Sequence, residues 1–246
     1  QVRNVPNDQR GLLNINTVES AIRPPGIHFP KTALICLENT HNRGNGSAFT
    51  VQELTPIIEV GHAQGIPIHL DGARIFNAAI ALQTAPDELV KDVDSLSFCL
   101  SKGLSCPVGS IVCGTQEFID RARGVRKLIG GAMRQAGVIA AAGLIALDTM
   151  VERLGEDHAN ARILANGLSQ IAGLSIDPIQ IQTNIVYADL PDINPKDFTA
   201  RLKELGVLAN GSATWVRFVT HRGITTEDIQ LALSIIDTAV SSLRTN

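Results

Sequence analysis

Lys102 is the residue whose surroundings most suggest covalent chemistry. It follows the apolar, β-rich run 95–100 (SLSFCL), and small or turn-forming residues come after it, at Gly103, Ser105, Pro107 and Gly109. A lysine at the carboxyl end of a strand lies where open α/β sheets bind ligands. Partial burial there would favour the uncharged amine, which Schiff-base chemistry requires. The alternative is a lysine at a loop tip in water.

Asp71 is the second candidate, because it ends the apolar run 66–70 (IPIHL) and opens the string DGAR. A carboxylate at the end of a neighbouring strand can pair with a protonated pyridine nitrogen and keep a pyridoxal ring electron-poor. The alternative is an N-cap for a helix that starts near Arg74, since aspartate is a favoured capping residue. Asp71, Arg74 and Lys102 in this order are more specific than any one of them.

The elements that would position these residues alternate along the chain. Apolar, β-rich runs at 33–37, 66–70, 95–100 and 109–114 are separated by amphipathic stretches. This alternation predicts an α/β sheet that is covered on both faces. Thr50 and Glu53 form a capping box, which predicts a helix from there to Gln64.

A change in pattern near residue 150 predicts a domain boundary. From Arg134 a long helix is expected to continue through the apolar run 136–147, which predicts a buried helix, and to end at Gly155. We therefore expect a large domain over 1–150 and a small α/β domain over 151–246. The small domain is predicted to contain short strands at 174–176, 184–188 and 214–219 and helices at 156–171, from Pro195 and from Thr225.

Composition excludes several classes of protein. The chain has 246 residues, 44% of them hydrophobic, and a net charge of -3. The hydrophobic residues are numerous enough to form a core, and this composition excludes disorder, collagen and coiled coil. Without clusters of Lys and Arg, nucleic acid and membrane surfaces are not expected as partners. The longest apolar run, 136–147, is far below the roughly 20 residues that a bilayer needs. The expected partner is a small molecule.

Other motifs point to a cytoplasmic protein without a metal. The first ten residues lack the apolar core of a signal peptide, and the four cysteines lie in apolar runs without a CxxC pair. We interpret them as structural thiols in a reducing compartment. The six histidines show no metal-ligand spacing, and P-loop, HExxH and GxSxG motifs are absent from the sequence.

Four strings carry a resemblance to a known family: LENTHNRGNGS (37–47), HLDGARIFNA (69–78), SFCLSKGLSCPVGS (97–110) and RKLIGGAMRQAG (126–137). They resemble the low-specificity L-threonine aldolases of the beta-eliminating lyase group, from about Gly26 to the final helix. The resemblance implies pyridoxal 5'-phosphate as cofactor and an aspartate-aminotransferase-like (type I) fold with a three-layer large domain. It also implies a homo-oligomer, either a dimer or a tetramer.

The resemblance assigns roles to the two candidates and to Arg74. Lys102 matches the family's Schiff-base lysine, and Asp71 matches the partner of the pyridine nitrogen. Arg74, in the same DGAR motif, would lie near the pyridoxal hydroxyl and the substrate carboxylate.

Four further residues match family positions. Arg217, in VRFVTH, would bind the substrate carboxylate, since a guanidinium donates two parallel hydrogen bonds that a carboxylate accepts; a salt bridge on a strand is the alternative. His28, in GIHFP, matches a histidine close to the substrate hydroxyl, but is otherwise an ordinary loop residue. Lys127 and Arg134 match basic residues that bind the anionic groups of the substrate or cofactor. The alternative is that both are solvated charges on helices.

One departure from the family concerns the segment before Asp71. Type I enzymes place a glycine-rich phosphate loop and a ring-stacking side chain well before the DGAR strand, and the 70 residues before Asp71 supply neither. We therefore expect that the chain lacks about the first third of the enzyme and that its large domain is incomplete.

The function implied is an aldehyde-lyase (EC 4.1.2) that cleaves L-threonine or L-allo-threonine to glycine and acetaldehyde, in threonine catabolism and glycine biosynthesis. One alternative is another type I lyase or aminotransferase that acts on amino acids. Another is an inactive fragment that lacks the cofactor. A sugar- or nucleotide-binding α/β domain is the remaining possibility, which DGAR and SKGL disfavour.

Overall fold

The computed structural model describes residues 1–24 and 26–244. The chain divides into two units, each with its own hydrophobic core. The first unit comprises Gln1–Gly44 and Ala48–Glu152, and the second comprises Asn45–Ser47 and Arg153–Asn246. Three residues of an early loop therefore belong to the second unit.

A four-stranded sheet is the centre of the first unit. Its strands are β1 (Ile35–Glu38), β2 (Ile68–Asp71), β3 (Ser95–Cys99) and β4 (Ser110–Gly114), in the spatial order β1-β2-β3-β4. The first three are parallel and β4 is antiparallel to β3. All four lie within two residues of the predicted runs. Since parallel strands end at the same edge, the residues that follow β1, β2 and β3 lie near one another.

Side chains alternate between the two faces of this sheet, as the pleat requires. On one face, the side chains of β1 and β2 are fully or almost fully buried, at Ile35, Leu37, Ile68 and Leu70. The intervening residues are exposed or half-buried, at Cys36, Glu38, His69 and Asp71. The sheet thus presents polar, reactive side chains on the face opposite its core.

Within the described residues, the first unit contains the helices α1 (Ile15–Ala21), α2 (Val51–Ala63), α3 (Ile75–Leu82), α4 (Pro86–Val90), α5 (Gln116–Leu128) and α6 (Gly137–Thr149). The predicted capping box of α2 is confirmed. The Thr50 hydroxyl accepts a hydrogen bond from the Glu53 N–H at 3.3 Å, and the Glu53 carboxylate accepts from the Thr50 N–H at 2.8 Å. The helix ends with Gln64 as its C-cap, as predicted.

Helix α6 differs from its prediction, because most of it is exposed. Val138 is 81% exposed and Leu144 67%, and within the helix only Gly143 and Ala146 are buried. The helix is apolar on all sides, so the side that packs near Leu100 covers only a small part of it. The expectation of a buried helix over 136–147 is therefore wrong for this chain.

Gly155 does not end this helical region, which is a second correction. Helix α6 ends at Thr149, and α7 (Leu154–Leu168) begins just before Gly155. A glycine costs a helix about 1 kcal/mol relative to alanine, so a single glycine in the first turn of α7 does not end the helical region. Leu154 is fully buried and anchors the start of α7 instead.

The second unit contains a three-stranded antiparallel sheet. Its strands are β5 (Ile185–Asp189), β6 (Asn210–Ser212) and β7 (Trp215–Val219), in the order β5-β7-β6. A 3-10 turn (Pro178–Gln180) and three helices complete the unit, α7, α8 (Pro195–Glu204) and α9 (Thr226–Arg244). The predicted strand at 174–176 is only a single bridge, between Ser175 and Asp189, and β6 was not predicted.

Residues 45–47 complete the second unit by hydrogen bonds. The Thr183 hydroxyl donates to the Gly46 carbonyl at 2.7 Å, and the Tyr187 N–H donates to the Asn45 side-chain oxygen at 3.1 Å. Gly46 has φ +67, and a Cβ atom there would overlap the Thr183 hydroxyl. Only glycine therefore fits this position without displacement.

Among the described helices, none combines the length and the apolarity needed to cross a bilayer. Across the same part of the chain, no group of three or more His, Cys, Asp and Glu side chains is arranged to hold a metal ion.

Candidate active site

The carboxyl edge of the parallel strands brings together the residues that follow β1, β2 and β3. Glu38 lies beside Asp71 in the strand register, and Asp71 lies beside Ser97. The Gly72 N–H donates to the Ser97 carbonyl at 2.8 Å, which continues the pairing beyond β2. Lys102 follows the end of β3 by three residues. Asp71 and Lys102 therefore lie at the same edge of the sheet.

Asp71 does not cap helix α3, so that alternative is wrong. Its carboxylate accepts a hydrogen bond from the Ala73 N–H at 3.0 Å, which closes a tight turn before the helix. The N-cap position of α3 is Arg74, which makes no capping bond with its side chain. The Asp71 carboxylate is exposed at the strand end, as a partner for a bound cation or protonated ring must be.

Gly72 and Arg74 shape the turn that follows Asp71. A Cβ atom at Gly72 would lie 2.6 Å from the end of the Leu96 side chain, so a larger residue would displace that side chain. Arg74 is half-buried at the start of α3. The DGAR string thus allows the turn to pack closely on β3.

Lys102 is exposed, whereas the sequence predicted partial burial. Its loop is held by two backbone bonds, from the Ser105 N–H to the Lys102 carbonyl at 2.9 Å and from the Cys106 N–H to the Leu100 carbonyl at 3.0 Å. Leu104 and Cys106 are the side chains of this loop that enter the core. Because they occupy the buried positions, Lys102 is left at the surface of the described chain.

The other predicted site residues lie on different elements. His28 is exposed in the turn before β1, Lys127 in the last turn of α5, and Arg134 between α5 and α6. Arg217 is half-buried on β7 of the second unit, where its cross-strand neighbours are Tyr187 and Asn210. Their assigned roles stay predictions.

A cavity of about 360 Å³ opens in the first unit and includes Asp71 in its wall. Apolar side chains of the core form one part of it. Its polar wall residues are Asn7, Cys36, Glu38, His41 and Asp71. Cys36 is exposed, but partial desolvation at the cavity wall still raises the pKa of its thiol, so this cysteine contributes a neutral group rather than a thiolate.

His41 and Glu38 are the site residues that the sequence analysis did not identify. The His41 Nε2 atom lies 3.6 Å from Glu38 Oε2, and its Nδ1 atom accepts a hydrogen bond from the Gly44 N–H at 3.1 Å. Both residues lie within the string LENTHNRGNGS, which was used as evidence for the family resemblance without a role for either residue. The available signal was the position of Glu38, which ends β1 as Asp71 ends β2, with His41 three residues further along the chain.

Comparisons with known proteins show the family to which the chain is similar. The family model "Beta-eliminating lyase" matches residues 1–191. Low-specificity L-threonine aldolase 1 of Arabidopsis thaliana is 39% identical, over 98% of this chain and 69% of that protein. The low specificity L-threonine aldolase of Escherichia coli (strain K12) is also 39% identical, over 89% of this chain and 64% of that protein.

This chain belongs to the beta-eliminating lyase family. It spans about two thirds of the length of these two relatives.

Solved structures show the fold that this lyase shares with other enzymes. Leishmania major threonine aldolase superposes with a TM-score of 0.76 at 18% identity, over 95% of this chain and 69% of that one. Sphingomonas wittichii serine palmitoyltransferase superposes with a TM-score of 0.74 at 18% identity, over 94% and 60%. The fold is therefore the type I fold of pyridoxal-phosphate enzymes, as the resemblance implied.

The residues of this lyase fit pyridoxal phosphate at the carboxyl edge. The cofactor requires an amine for its aldehyde and an anionic partner for its pyridine nitrogen. Lys102 and Asp71 are an amine and a carboxylate at or just beyond the ends of neighbouring parallel strands, and both are exposed at that edge.

Proposed function

We propose that the protein is a pyridoxal-phosphate-dependent aldolase that cleaves L-threonine or L-allo-threonine to glycine and acetaldehyde. The observation that carries the proposal is the placement of Asp71 and Lys102 after neighbouring parallel strands, at one edge of the sheet. The names of the relatives, low-specificity L-threonine aldolases, support the substrate class. The reaction is that of an aldehyde-lyase.

Lys102 and Asp71 would hold the cofactor from its two sides. The Lys102 amine would bind the aldehyde carbon covalently. The Asp71 carboxylate would keep a proton on the pyridine nitrogen through a charge-assisted hydrogen bond. When bound, pyridoxal phosphate supplies an electron sink for the electrons of the breaking Cα–Cβ bond. Without the Asp71 charge, that sink would be much weaker.

Basic residues would bind the anionic groups of the substrate and cofactor. Arg74 is proposed to bind the substrate carboxylate, and it is half-buried directly after Asp71 and Gly72. The resemblance supports Arg217 and Lys127 as further substrate-binding residues and Arg134 as a cofactor-binding residue. Fixing the carboxylate would orient the scissile bond, which lowers the entropic part of the barrier.

A histidine would contact the β-hydroxyl group of the substrate, and two candidates exist. The resemblance supports His28, which is exposed in a turn. The cavity supports His41, because this ring and Asp71 belong to the same wall. We expect His41→Asn to reduce turnover more than His28→Asn. The opposite order of the two variants would favour His28.

We further propose that the enzyme acts in the cytoplasm as a dimer or tetramer, in threonine catabolism and glycine biosynthesis. The resemblance supports the oligomer and the pathway. All four cysteines are free thiols, which supports a reducing compartment. Sedimentation of the purified protein tests the oligomer directly.

Covalent labelling tests the cofactor site. The protein is incubated with pyridoxal phosphate, reduced with borohydride and digested, and the modified lysine is identified by peptide mass. We expect modification at Lys102, its loss in Lys102→Ala, and its retention in the control Lys91→Ala, which replaces another exposed lysine. Labelling distributed over several lysines would contradict the site.

Product analysis tests the reaction. Incubation with L-threonine should yield glycine and acetaldehyde, whereas an aminotransferase would yield a keto acid. Asp71→Asn should still be labelled at Lys102 but should cleave threonine slower by several orders of magnitude. Unchanged turnover in Asp71→Asn would refute the role of this carboxylate.

A further inference from the structure

Three asparagine–glycine pairs occur in the chain, at Asn45, Asn166 and Asn210. In such a pair the glycine nitrogen can attack the side-chain carbonyl carbon of the asparagine, because glycine has no side chain that obstructs the approach and its backbone is adaptable. Ring closure requires a backbone that opens locally and an amide side chain that is free to rotate. The three pairs differ in both respects.

The pairs at Asn45 and Asn166 are held in place by hydrogen bonds and by secondary structure. Asn45 is half-buried, and its side-chain oxygen accepts a hydrogen bond from the Tyr187 N–H at 3.1 Å. Asn166 lies inside helix α7, where the backbone N–H groups beyond the first turn bond to carbonyl groups of the preceding turn. Both environments restrict the rearrangement that ring closure requires.

The pair Asn210–Gly211 is in a more permissive environment. All three residues of β6 are exposed, and the strand lies at the edge of its sheet, paired with β7. The next residue, Ala213, has a φ of +30, which is unfavourable for a residue that carries a side chain. A short, exposed edge strand beside such a turn opens locally more readily than a helix or a buried loop.

The close packing of β6 on α8 explains why a glycine follows Asn210. A Cβ atom at Gly211 would lie 2.9 Å from the Pro195 carbonyl oxygen and 2.9 Å from the end of the Thr199 side chain. Pro195 is the first residue of α8, so a side chain at position 211 would displace the backbone at the start of this helix. The residue that makes the pair reactive is therefore required by packing.

Asn210 lies directly opposite Arg217 in the antiparallel pairing of β6 with β7. Side chains of directly opposite residues leave the sheet on the same face, with Cβ atoms about 4.5–5.5 Å apart. A carboxylate at position 210 would therefore lie within reach of the Arg217 guanidinium and form an ion pair with it. The neutral amide of Asn210 brings no negative charge to that position.

We propose that Asn210 is a site of spontaneous deamidation and that the aspartate so formed pairs with Arg217 and weakens substrate binding. The Gly211 nitrogen forms a bond to the Asn210 side-chain carbonyl carbon, and the amide group leaves as ammonia with the Gly211 proton. Water then opens the five-membered ring to aspartate or isoaspartate. The effect on binding rests on the proposed function of Arg217, whereas the modification itself does not.

Peptide mapping of the purified protein after storage at mildly alkaline pH tests the modification without cofactor or substrate. We expect the mass increase of an amide-to-acid change, together with isoaspartate, in the peptide that contains Asn210. The peptides that contain Asn45 and Asn166 are internal controls and should stay unmodified over the same period, but should react like Asn210 in urea-unfolded protein. An unmodified Asn210, or equal modification of the three pairs in the folded protein, overturns the proposal.

The variant Asn210→Gln checks that ring closure causes the mass change. Its longer side chain closes a larger ring much more slowly, so the peptide should stay unmodified during the same storage. A mass change at this position in Asn210→Gln, at the wild-type rate, would show that direct hydrolysis occurs instead and would overturn the role of Gly211.

Kinetics of the cofactor-loaded enzyme test the consequence for binding. Asn210→Asp carries the product of the modification permanently, and we expect KM for threonine to rise by about 5-fold, the upper range for a cross-strand ion pair. Both kcat and the cofactor absorbance should be unchanged. The control Asn166→Asp adds the same charge at an exposed position of α7 and should keep the wild-type KM.

Two outcomes separate this proposal from the proposed function. An unchanged KM in Asn210→Asp overturns the pairing of the new carboxylate with a substrate-binding Arg217. If the wild type does not cleave threonine, the proposed function fails, and the peptide mapping then decides the deamidation of Asn210 alone.

Discussion

Helices α6 and α9 show how differently an apolar helix and an amphipathic helix are accommodated. Helix α9 alternates polar and apolar residues and buries one stripe in the second unit, with Ile236 fully buried. Helix α6 is apolar on all sides, and its large side chains, such as Leu144, are mostly exposed. A polar stripe determines which side of a helix faces water. A helix without one is buried only where neighbouring elements cover it.

The largest effect is expected in α9. Ile236→Ala should lower the free energy of unfolding of the second unit by about 2 to 5 kcal/mol, because it leaves a cavity in a packed core. Leu231→Ala, at a position that is 60% exposed on the same helix, should change it by less than about 0.5 kcal/mol. Urea unfolding of both variants measures the difference, and equal shifts would contradict the burial pattern of α9.

A pH effect of intermediate size is expected in α7, which packs on α9. Burial and the nearby Arg162 lower the pKa of His158 from 6.5 to about 4. Between these values the unfolded chain binds a proton that the folded chain does not bind. Stability is therefore complete above pH 6.5 and falls with decreasing pH, by at most about 1.4 kcal/mol per pH unit, until about pH 4.

Substitution of the histidine separates this effect from general acid unfolding. His158→Gln should flatten the pH dependence between 6.5 and 4 in urea unfolding. His221→Gln, which replaces an exposed histidine of the same unit, should keep the wild-type slope. If both variants show the wild-type slope, then His158 does not cause the loss of stability.

A smaller effect is expected where a helix begins. Helix α2 starts with the capping box of Thr50, whereas α6 starts at Ala136 without a side-chain cap. Thr50→Ala should therefore destabilise the first unit by about 1 kcal/mol, as measured by urea unfolding. No loss of stability would mean that α2, like α6, does not depend on its cap.

The smallest effect is expected in α6 itself. Leu144→Ala should change the free energy of unfolding by less than about 0.5 kcal/mol, since the side chain is 67% exposed. A loss as large as that of Ile236→Ala would show that α6 is covered in solution. Sedimentation at several protein concentrations would then establish whether a second copy provides that cover.

Local signals predicted much of the fold. The strands β1 to β4 and the capping box at Thr50 follow from short stretches of sequence, and the structure places them within two residues. The exposure of α6 depends on which elements surround it, and the residues of α6 alone do not determine those neighbours. Strand β6 is a three-residue run, Asn210–Ser212, without apolar side chains, so it has no pattern of its own.

The candidate site was predictable where chemistry and strand ends coincide. Asp71 and Lys102 follow apolar runs, and parallel pairing brings them to one edge. The position of His41 depends on the packing of Gly11, thirty residues earlier, against its ring. No periodicity or motif signals such a contact, which explains why the analysis of the sequence did not identify it.

Residues 45–47 have a consequence for the order in which the chain folds. Gly46 and Asn45 bond with Thr183 and Tyr187, across sequence separations of 137 and 142 residues. Closing such long loops is entropically costly and slow, so these bonds are expected late in folding. During synthesis on the ribosome, the second unit therefore incorporates a segment that was made long before its own strands emerged.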